Sequence, residues 1–481
     1  MHISARTSFV LALALVLGGV SQGQMNAAAA AVATRPNIVL ILTDDQRFDS
    51  LFSMTNVRHM LVNQGVTFSN AFVTNSLCCP SRATILTGAY SHTTKVYSND
   101  WGSTVPYGGW RAFHDTGDEN GTIALALHDA GYETALVGKY LNHYRGTSVP
   151  PGWDRWAAFA NTGSGGAYYN YSMYVRDAAG TRTESYGSAR RDYSTTVIRR
   201  RSIAFLKSTS PDTPFFLYLA PFAPHGKIIP APSDIGSFSG YRQHLFPSFD
   251  EADVTDKPNY IRSAPSVDKT MMEKRFRLQY EALQAVDRTV GSVVDYLRTS
   301  GQLANTLIVF MSDNGMDYGE HRWVYKLVPY DESIRVPFVV RYPALTGSLT
   351  GTESAAMVSN LDVAPTFADV AGIGDSFVGV GKVDGTSIVP VLTGAATSIR
   401  HDLLLEHLDY GSKFHAPTYC GLRTENLMYA RYSDGFEEVY RLRKDPYELR
   451  NAATTAPTTL QRLRSRTREL CKPLPPEYTW P

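Results

Sequence analysis

Two pairs of oxygen-bearing side chains follow two apolar runs. Asp44-Asp45 closes the stretch "NIVLILT", and Asp313-Asn314 closes "TLIVFMS". Adjacent carboxylates repel unless a cation neutralises them, and an all-oxygen ligand set favours Ca²⁺ or Mg²⁺ over zinc. Taken alone, the four residues fit two separate helix-capping turns equally well. A second cluster is "SLCCPSRATILTG", residues 76–88. Neighbouring cysteines seldom bridge each other, because disulfide geometry separates the two Cα atoms. Pro80 suits the first turn of a helix and Gly88 its stop. Cys78 and Cys79 therefore fall just before a helix N-terminus, where anions are favoured. Arg82, four residues beyond Cys78, is spaced to fold back over it. A reactive thiol and two small buried thiols both satisfy this pattern. Lys139 after "TALVG" and His225 after "FFLYLAPFAP" place further charge at the ends of two more apolar runs.

Those four runs are short, continuous and rich in β-branched or aromatic residues, the pattern of strands buried on both faces of a parallel sheet. Between them lie helical patterns. In "MMEKRFRLQYEALQAVDRTVGSVVDYLRTSG" the residues Phe276, Tyr280, Leu283, Val290, Val294 and Leu297 recur at helical spacing, and Gly301 ends the run. The expected fold is α/β, a large and mostly parallel sheet covered by helices, with ligands gathered beyond the carboxyl ends of the strands. From residue 396 the pattern changes. "LMYARYSDGFEEVYRL" alternates on both sides of Asp434-Gly435, a hairpin signal, and Leu460, Leu463 and Leu470 mark an amphipathic helix. The division read here is a leader over 1–33, an α/β domain over 34–395, and a smaller α+β subdomain over 396–481.

The chain has 481 residues, with 46 Lys plus Arg against 45 Asp plus Glu, and no basic block stands out. Neither nucleic acid nor an acidic membrane surface is suggested as a partner. The apolar run 9–20, preceded by Arg6 and followed by "AAAAAVA", has the layout of a secretory signal and is too short to span a bilayer. The mature protein is expected to be secreted, without stable membrane association. Export permits a disulfide between Cys420 and Cys471, the other two of the four cysteines.

The motif Cys78-Cys79-Pro80-Ser81-Arg82, continuing "ATILTG", resembles the C-x-P-S-R signature of the type I sulfatases, members of the alkaline phosphatase-like superfamily. "GYETALVGK", residues 131–139, resembles their second signature. "PNIVLILTDDQ" is similar to their first metal strand, and "SDNG" with "GEH" and Lys326 to their second. The likeness runs in order from Arg35 to the end of the chain. It implies that Asp44, Asp45, Asp313 and Asn314 hold Ca²⁺, or Mg²⁺. It also implies that a formylglycine-generating enzyme converts Cys78 to formylglycine (3-oxoalanine), whose hydrate is the nucleophile toward sulfate and a further ligand of the metal. Arg82 would hold that group, while Lys139, His225 and Lys326 would neutralise sulfate oxygens. His225 or Lys326 would protonate the leaving alcohol, and His321 would line the leaving-group side. The implied substrate is a sulfated carbohydrate or an aryl sulfate.

One position departs from the pattern. Many sulfatases carry a histidine two residues after the signature lysine, where this chain has Leu141, and His143 lies two further on. "GWDRWAAFANTGSGGAYYNYSMYV" and the Cys420/Cys471 pair look most like the N-acetylglucosamine-6-sulfatase branch, with Tyr168, Tyr169, Tyr171 and Tyr174 available to stack on a sugar ring. Two other readings remain: a phosphate or phosphonate ester hydrolase of the same superfamily, and a secreted non-catalytic binding protein.

Overall fold

The apolar runs become the centre of one sheet. In the computed structural model, which describes residues 35–100, 108–411 and 415–480, the strands are β1 (Asn37–Thr43), β2 (Val66–Phe72), β3 (Glu133–Gly138), β4 (Arg155–Ala160), β5 (Tyr171–Asp177), β6 (Gly180–Tyr186), β7 (Phe215–Ala220), β8 (Thr306–Ser312), β9 (Phe338–Arg341) and β10 (Thr352–Ser359). They form a ten-stranded sheet in the order β10-β2-β9-β8-β1-β7-β3-β4-β5-β6. Only β9 and β5 run against the rest. The leader over 1–33 lies outside the described residues.

Every residue of β1, β7 and β8 is buried. This is why these strands read as unbroken apolar runs, since both faces of the sheet are covered. Alternate residues of β1 serve different cores. Ile38, Leu40 and Leu42 pack with the helices Cys78–Thr87, Ile123–Asp129 and Val363–Val370. Val39 and Ile41 pack on the other face with the helices Ser194–Ser208 and Lys269–Thr299. The long helix starts at Asp268, whose side chain accepts from the Met271 amide at 3.0 Å, and Gly301 follows it in the left-handed conformation.

A separate antiparallel sheet is built from β11 (Asp402–His407), β12 (Tyr419–Thr424), β13 (Leu427–Tyr432) and β14 (Glu437–Arg441), in sequence order. Gly435, at a φ of 87°, turns the chain between β13 and β14. The helix Pro457–Leu470 lays Leu460 and Leu463 on this sheet, and Cys471 is bridged to Cys420 of β12. Hydrogen bonds tie the small sheet to the loops of the large one. The Glu406 amide donates to the Thr74 carbonyl at 2.9 Å, and the Tyr330 hydroxyl donates to Glu438 at 2.7 Å. Among the described residues, no helix is long and apolar enough to cross a membrane.

Candidate active site

The neighbouring order β8-β1-β7-β3 sets four carboxyl ends side by side, and the polar residues after each strand meet there. Thr43 of β1 is in parallel register with Ser312 of β8, so Asp44-Asp45 and Asp313-Asn314 emerge together. The Asp45 amide donates to Asp313 Oδ1 at 3.1 Å, and Asn314 Nδ2 donates to Asp45 Oδ1 at 2.7 Å. Asp45 itself turns through the left-handed region, φ 63°, which directs both adjacent carboxylates inward.

On β3, Gly138 allows Lys139 to enter. A Cβ on Gly138, whose φ is 123°, would sit 1.9 Å from the Ala220 carbonyl oxygen, and the Lys139 amide donates to that same oxygen at 2.8 Å. The Lys139 ammonium then reaches Asp44 Oδ2 at 2.7 Å.

Helix Cys78–Thr87 begins two residues earlier than its sequence pattern suggests. Cys78 is its first residue, with Pro80 still in the first turn and Gly88 ending it in the left-handed conformation. The Cys79 amide is capped by Asn99 Oδ1 at 2.8 Å. Cys78 Sγ lies 3.5 Å from Asp44 Oδ1 and 3.8 Å from Asp45 Oδ1, and Lys326 Nζ approaches it at 2.7 Å. Arg82 hydrogen-bonds to Asp313 and Lys139 rather than to the Cys78 thiol. Its Nε donates to Asp313 Oδ2 at 2.8 Å and a terminal nitrogen donates to the Lys139 carbonyl at 3.0 Å, while the other terminal nitrogen is buried and unpartnered. The Lys326 ammonium also bonds Asp45 Oδ1, and it donates to Asn314 Oδ1 at 3.3 Å. His225 Nε2 stands 3.6 Å from Asp45 Oδ2, and its Nδ1 has no partner.

Nine of the residues singled out from sequence thus form one buried cluster: Asp44, Asp45, Cys78, Arg82, Lys139, His225, Asp313, Asn314 and Lys326. The carboxylates of Asp44 and Asp45, the Cys78 thiol and a ring nitrogen of His225 lie within 4.8 Å of one another. The donor set fits a hard divalent cation, because carboxylate and amide oxygens from two strands converge where the Lys326 ammonium touches two of them. Charge controls protonation here. Burial pushes Asp45 up, but Lys326 and His225 more than offset it and hold the carboxyl below its usual range. Burial lowers the basicity of Lys139, yet Asp44 and Cys78 outweigh it and keep the ammonium charged. Burial pushes the Cys78 thiol up to about 12, so it is neutral at pH 7. His225 is held below its ordinary value by burial, against the pull of Asp44 and Asp45.

Not every candidate arrives at the cluster. His321 is fully buried, its Nδ1 bonded to Glu251 Oε2 at 2.6 Å and its ring 4.1 Å from that of Tyr330. A ring nitrogen of His321 lies within 4.8 Å of carboxylate oxygens of Glu332 and Glu448. The other ring nitrogen, Nε2, is buried without a hydrogen-bond partner. His143 pairs instead with Asp100, at 2.6 Å. Tyr168 and Tyr171 are core residues, their hydroxyls donating to the carbonyls of His225 and Asp192, so they present no free ring face to a sugar. Asn99, which caps the helix start, carried no signal in sequence because it lies 20 positions from its partner.

A sequence model described as Sulfatase matches residues 36–373, and one described as N-sulphoglucosamine sulphohydrolase, C-terminal, matches residues 319–472. The chain belongs to the sulfatase family. These enzymes are hydrolases of sulfuric esters. The sulfatase is 32% identical to the human N-acetylglucosamine-6-sulfatase, over 92% of this chain and 85% of that protein. It is 35% identical to the extracellular sulfatase SULF-1 homolog of Drosophila melanogaster over 76% of this chain, which spans 32% of the fly protein. Among solved structures, BT4656 in complex with its substrate D-glucosamine-2-N,6-O-disulfate superposes with a TM-score of 0.73 at 24% identity, covering 92% of this chain and 98% of that one. The phosphonate monoester hydrolase of Agrobacterium radiobacter shares the fold as well, with a TM-score of 0.68 at 20% identity over 91% of this chain and 95% of that one.

Proposed function

We propose that this sulfatase is a secreted enzyme that cleaves a sulfate monoester of a sugar, as the N-acetylglucosamine-6-sulfatases it resembles are named for, and also accepts small aryl sulfates. The observation that carries this reading is the position of Cys78: the first residue of a helix, in contact with Asp44, Asp45 and Lys326. A neutral buried thiol is a poor nucleophile. Converted to formylglycine by a formylglycine-generating enzyme, the same position supplies a hydrated aldehyde, with one hydroxyl to attack sulfur and a second through which sulfate leaves. Asp44, Asp45, Asp313 and Asn314 would hold Ca²⁺, which adds positive charge against the sulfate oxygens.

The chain's own residues divide the remaining work. Arg82, anchored on Asp313 and on the Lys139 carbonyl, keeps a buried positive charge beneath residue 78. Its unpartnered terminal nitrogen is a donor left over for the modified side chain. Lys139 and Lys326 are placed to balance charge that builds on sulfate oxygens in the transition state, an electrostatic effect that is strong in a dry site. His225 is the most exposed member of the cluster, at 15% of its side chain, so the leaving alcohol departs on its side and takes a proton from His225 or Lys326.

The test is the relative turnover of the sulfate and phosphate monoesters of one phenol, by protein made in a host that installs formylglycine. A clear preference for sulfate supports the reading. A preference for phosphate contradicts it.

A further inference from the structure

The short stretch from Arg190 to Lys207 carries Arg190, Arg191, Arg199, Arg200, Arg201 and Lys207, and the fold turns part of it onto one helix face. The seam between helices Ser194–Ser208 and Lys269–Thr299 holds two surface recesses that share Arg199. The upper recess, about 150 Å³, is bordered by Arg190, Arg199 and Arg288 with the Thr196 hydroxyl. The lower and wider one, about 440 Å³, is bordered by Arg199, Arg200 and Lys207 beside Tyr296. Five cations line the two recesses, and no carboxylate does. Arg288 is committed to Asp234, at 2.7 Å through each oxygen. Arg190, Arg199, Arg200 and Lys207 have no ion-pair partner among the described residues, whereas Arg201, pointing away, pairs with Glu184. Residues 196, 199, 200, 203 and 207 fall on one face of the helix, so Arg199, Arg200 and Lys207 form a row roughly 12 Å long at about 1.5 Å per residue.

One end of this row meets the catalytic side. Ala231, Pro232 and Ser233 border the upper recess and lie six to eight residues after His225 in the chain. The Tyr193 hydroxyl, on the same recess, donates to the Ile229 carbonyl at 3.0 Å, and the Tyr168 hydroxyl donates to the His225 carbonyl at 3.1 Å.

We infer that this row is a docking track for a polysulfated glycan chain, one of whose residues occupies the catalytic site. The proposal rests on the sulfatase reading for its choice of polyanion. Unpaired guanidinium groups in a row match sulfate groups repeated along a polymer, and guanidinium recognises such oxyanions in a forked geometry. Asp234 engages Arg288 alone, and the other four cations have no competing ion-pair partner among the described residues.

The test separates docking from catalysis. Full-length protein with unmodified Cys78, made in a host lacking the converting enzyme, is titrated with a heparin-derived oligosaccharide at fixed salt. The R199E/R200E variant should bind about tenfold more weakly and with a shallower salt dependence. Equal affinity of variant and wild type overturns the track. Equally tight binding of duplex DNA, lost in the same variant, also overturns it, since the row would then be a surface for any polyanion. The formylglycine-bearing forms are compared on a small aryl sulfate, too short to reach the track. Equal turnover there shows that the variant is folded and locates the loss in docking. Absence of turnover in both forms would instead refute the sulfatase reading and with it the choice of glycan.

Discussion

At the scale of single residues, the site is a balance of buried charges, and each substitution has a consequence set by what it leaves unpaired. Cys78→Ser and Cys79→Ser are the same change at adjacent positions, yet only Cys78 touches Asp44, Asp45 and Lys326. Serine at 78 keeps one oxygen but lacks the second hydroxyl, so turnover of a chromogenic sulfate ester should fall to background. Serine at 79 should retain most activity and cost about 1 kcal/mol at most in packing. Equal activities would contradict these roles. Asp313 carries two burdens, since it joins the oxygen cluster and neutralises Arg82 at 2.8 Å with both groups fully buried. Asp313→Ala should abolish activity and destabilise the fold by about 3 to 5 kcal/mol, because it strands a buried guanidinium. Asp313→Asn should recover part of that stability and none of the activity, as read by thermal unfolding beside turnover.

At the scale of elements, the strand ends were legible and the supports were not. Short apolar runs ending in Asp44, Lys139, Asp313 and, through a loop, His225 identify a parallel sheet whose carboxyl edge carries function. The structure makes those runs consecutive neighbours. The partner of Arg82 was not legible, because Asp313 is 231 positions away and only the sheet order brings the two together. Tyr168 and Tyr171 misled for a related reason: alternating tyrosines fit a sugar platform and a buried strand face equally well, and here the core claims both. The same scale governs two constraints. Gly138→Ala should disrupt the β3–β7 edge, since its Cβ would overlap the Ala220 carbonyl at 1.9 Å. Loss of activity beyond any loss of folded protein would trace to a displaced Lys139. The disulfide Cys420–Cys471 closes a loop with a sequence separation of 51. The Cys420→Ala/Cys471→Ala variant should lose about 4 kcal/mol, measured by denaturant unfolding, on chain-entropy reasoning. Unchanged stability would show that packing of the terminal helix suffices without it.

At the scale of the whole molecule, the two sheets meet over buried ionisable groups that give stability a pH dependence. Burial raises Glu251 from 4.5 to about 8, against the opposing pull of Lys257. A group whose folded pKa is raised binds its proton more tightly in the folded state. Its stabilising contribution is therefore complete below pH 4.5 and is lost as pH rises through about 8. Thermal unfolding temperature should decline across that window, and Glu251→Gln, which cannot ionise, should flatten the decline. An equally steep fall in the variant would assign the effect to other groups. His321, for which resemblance implies a place on the leaving-group side, is bonded to Glu251 at 2.6 Å. Its motif is readable in sequence, but its neighbours come from a loop 70 positions earlier and from the C-terminal segment.

The central claim, that Cys78 becomes the group on which sulfate ester hydrolysis depends, is tested most directly on the tryptic peptide His59 to Arg82. Its mass is compared with specific activity across preparations that differ in conversion. Activity toward a chromogenic sulfate ester should rise in proportion to the fraction of peptide in which the Cys78 thiol has been replaced by an aldehyde, with none at zero conversion. Full activity in protein whose Cys78 is wholly unmodified, or no activity at complete conversion, would contradict it.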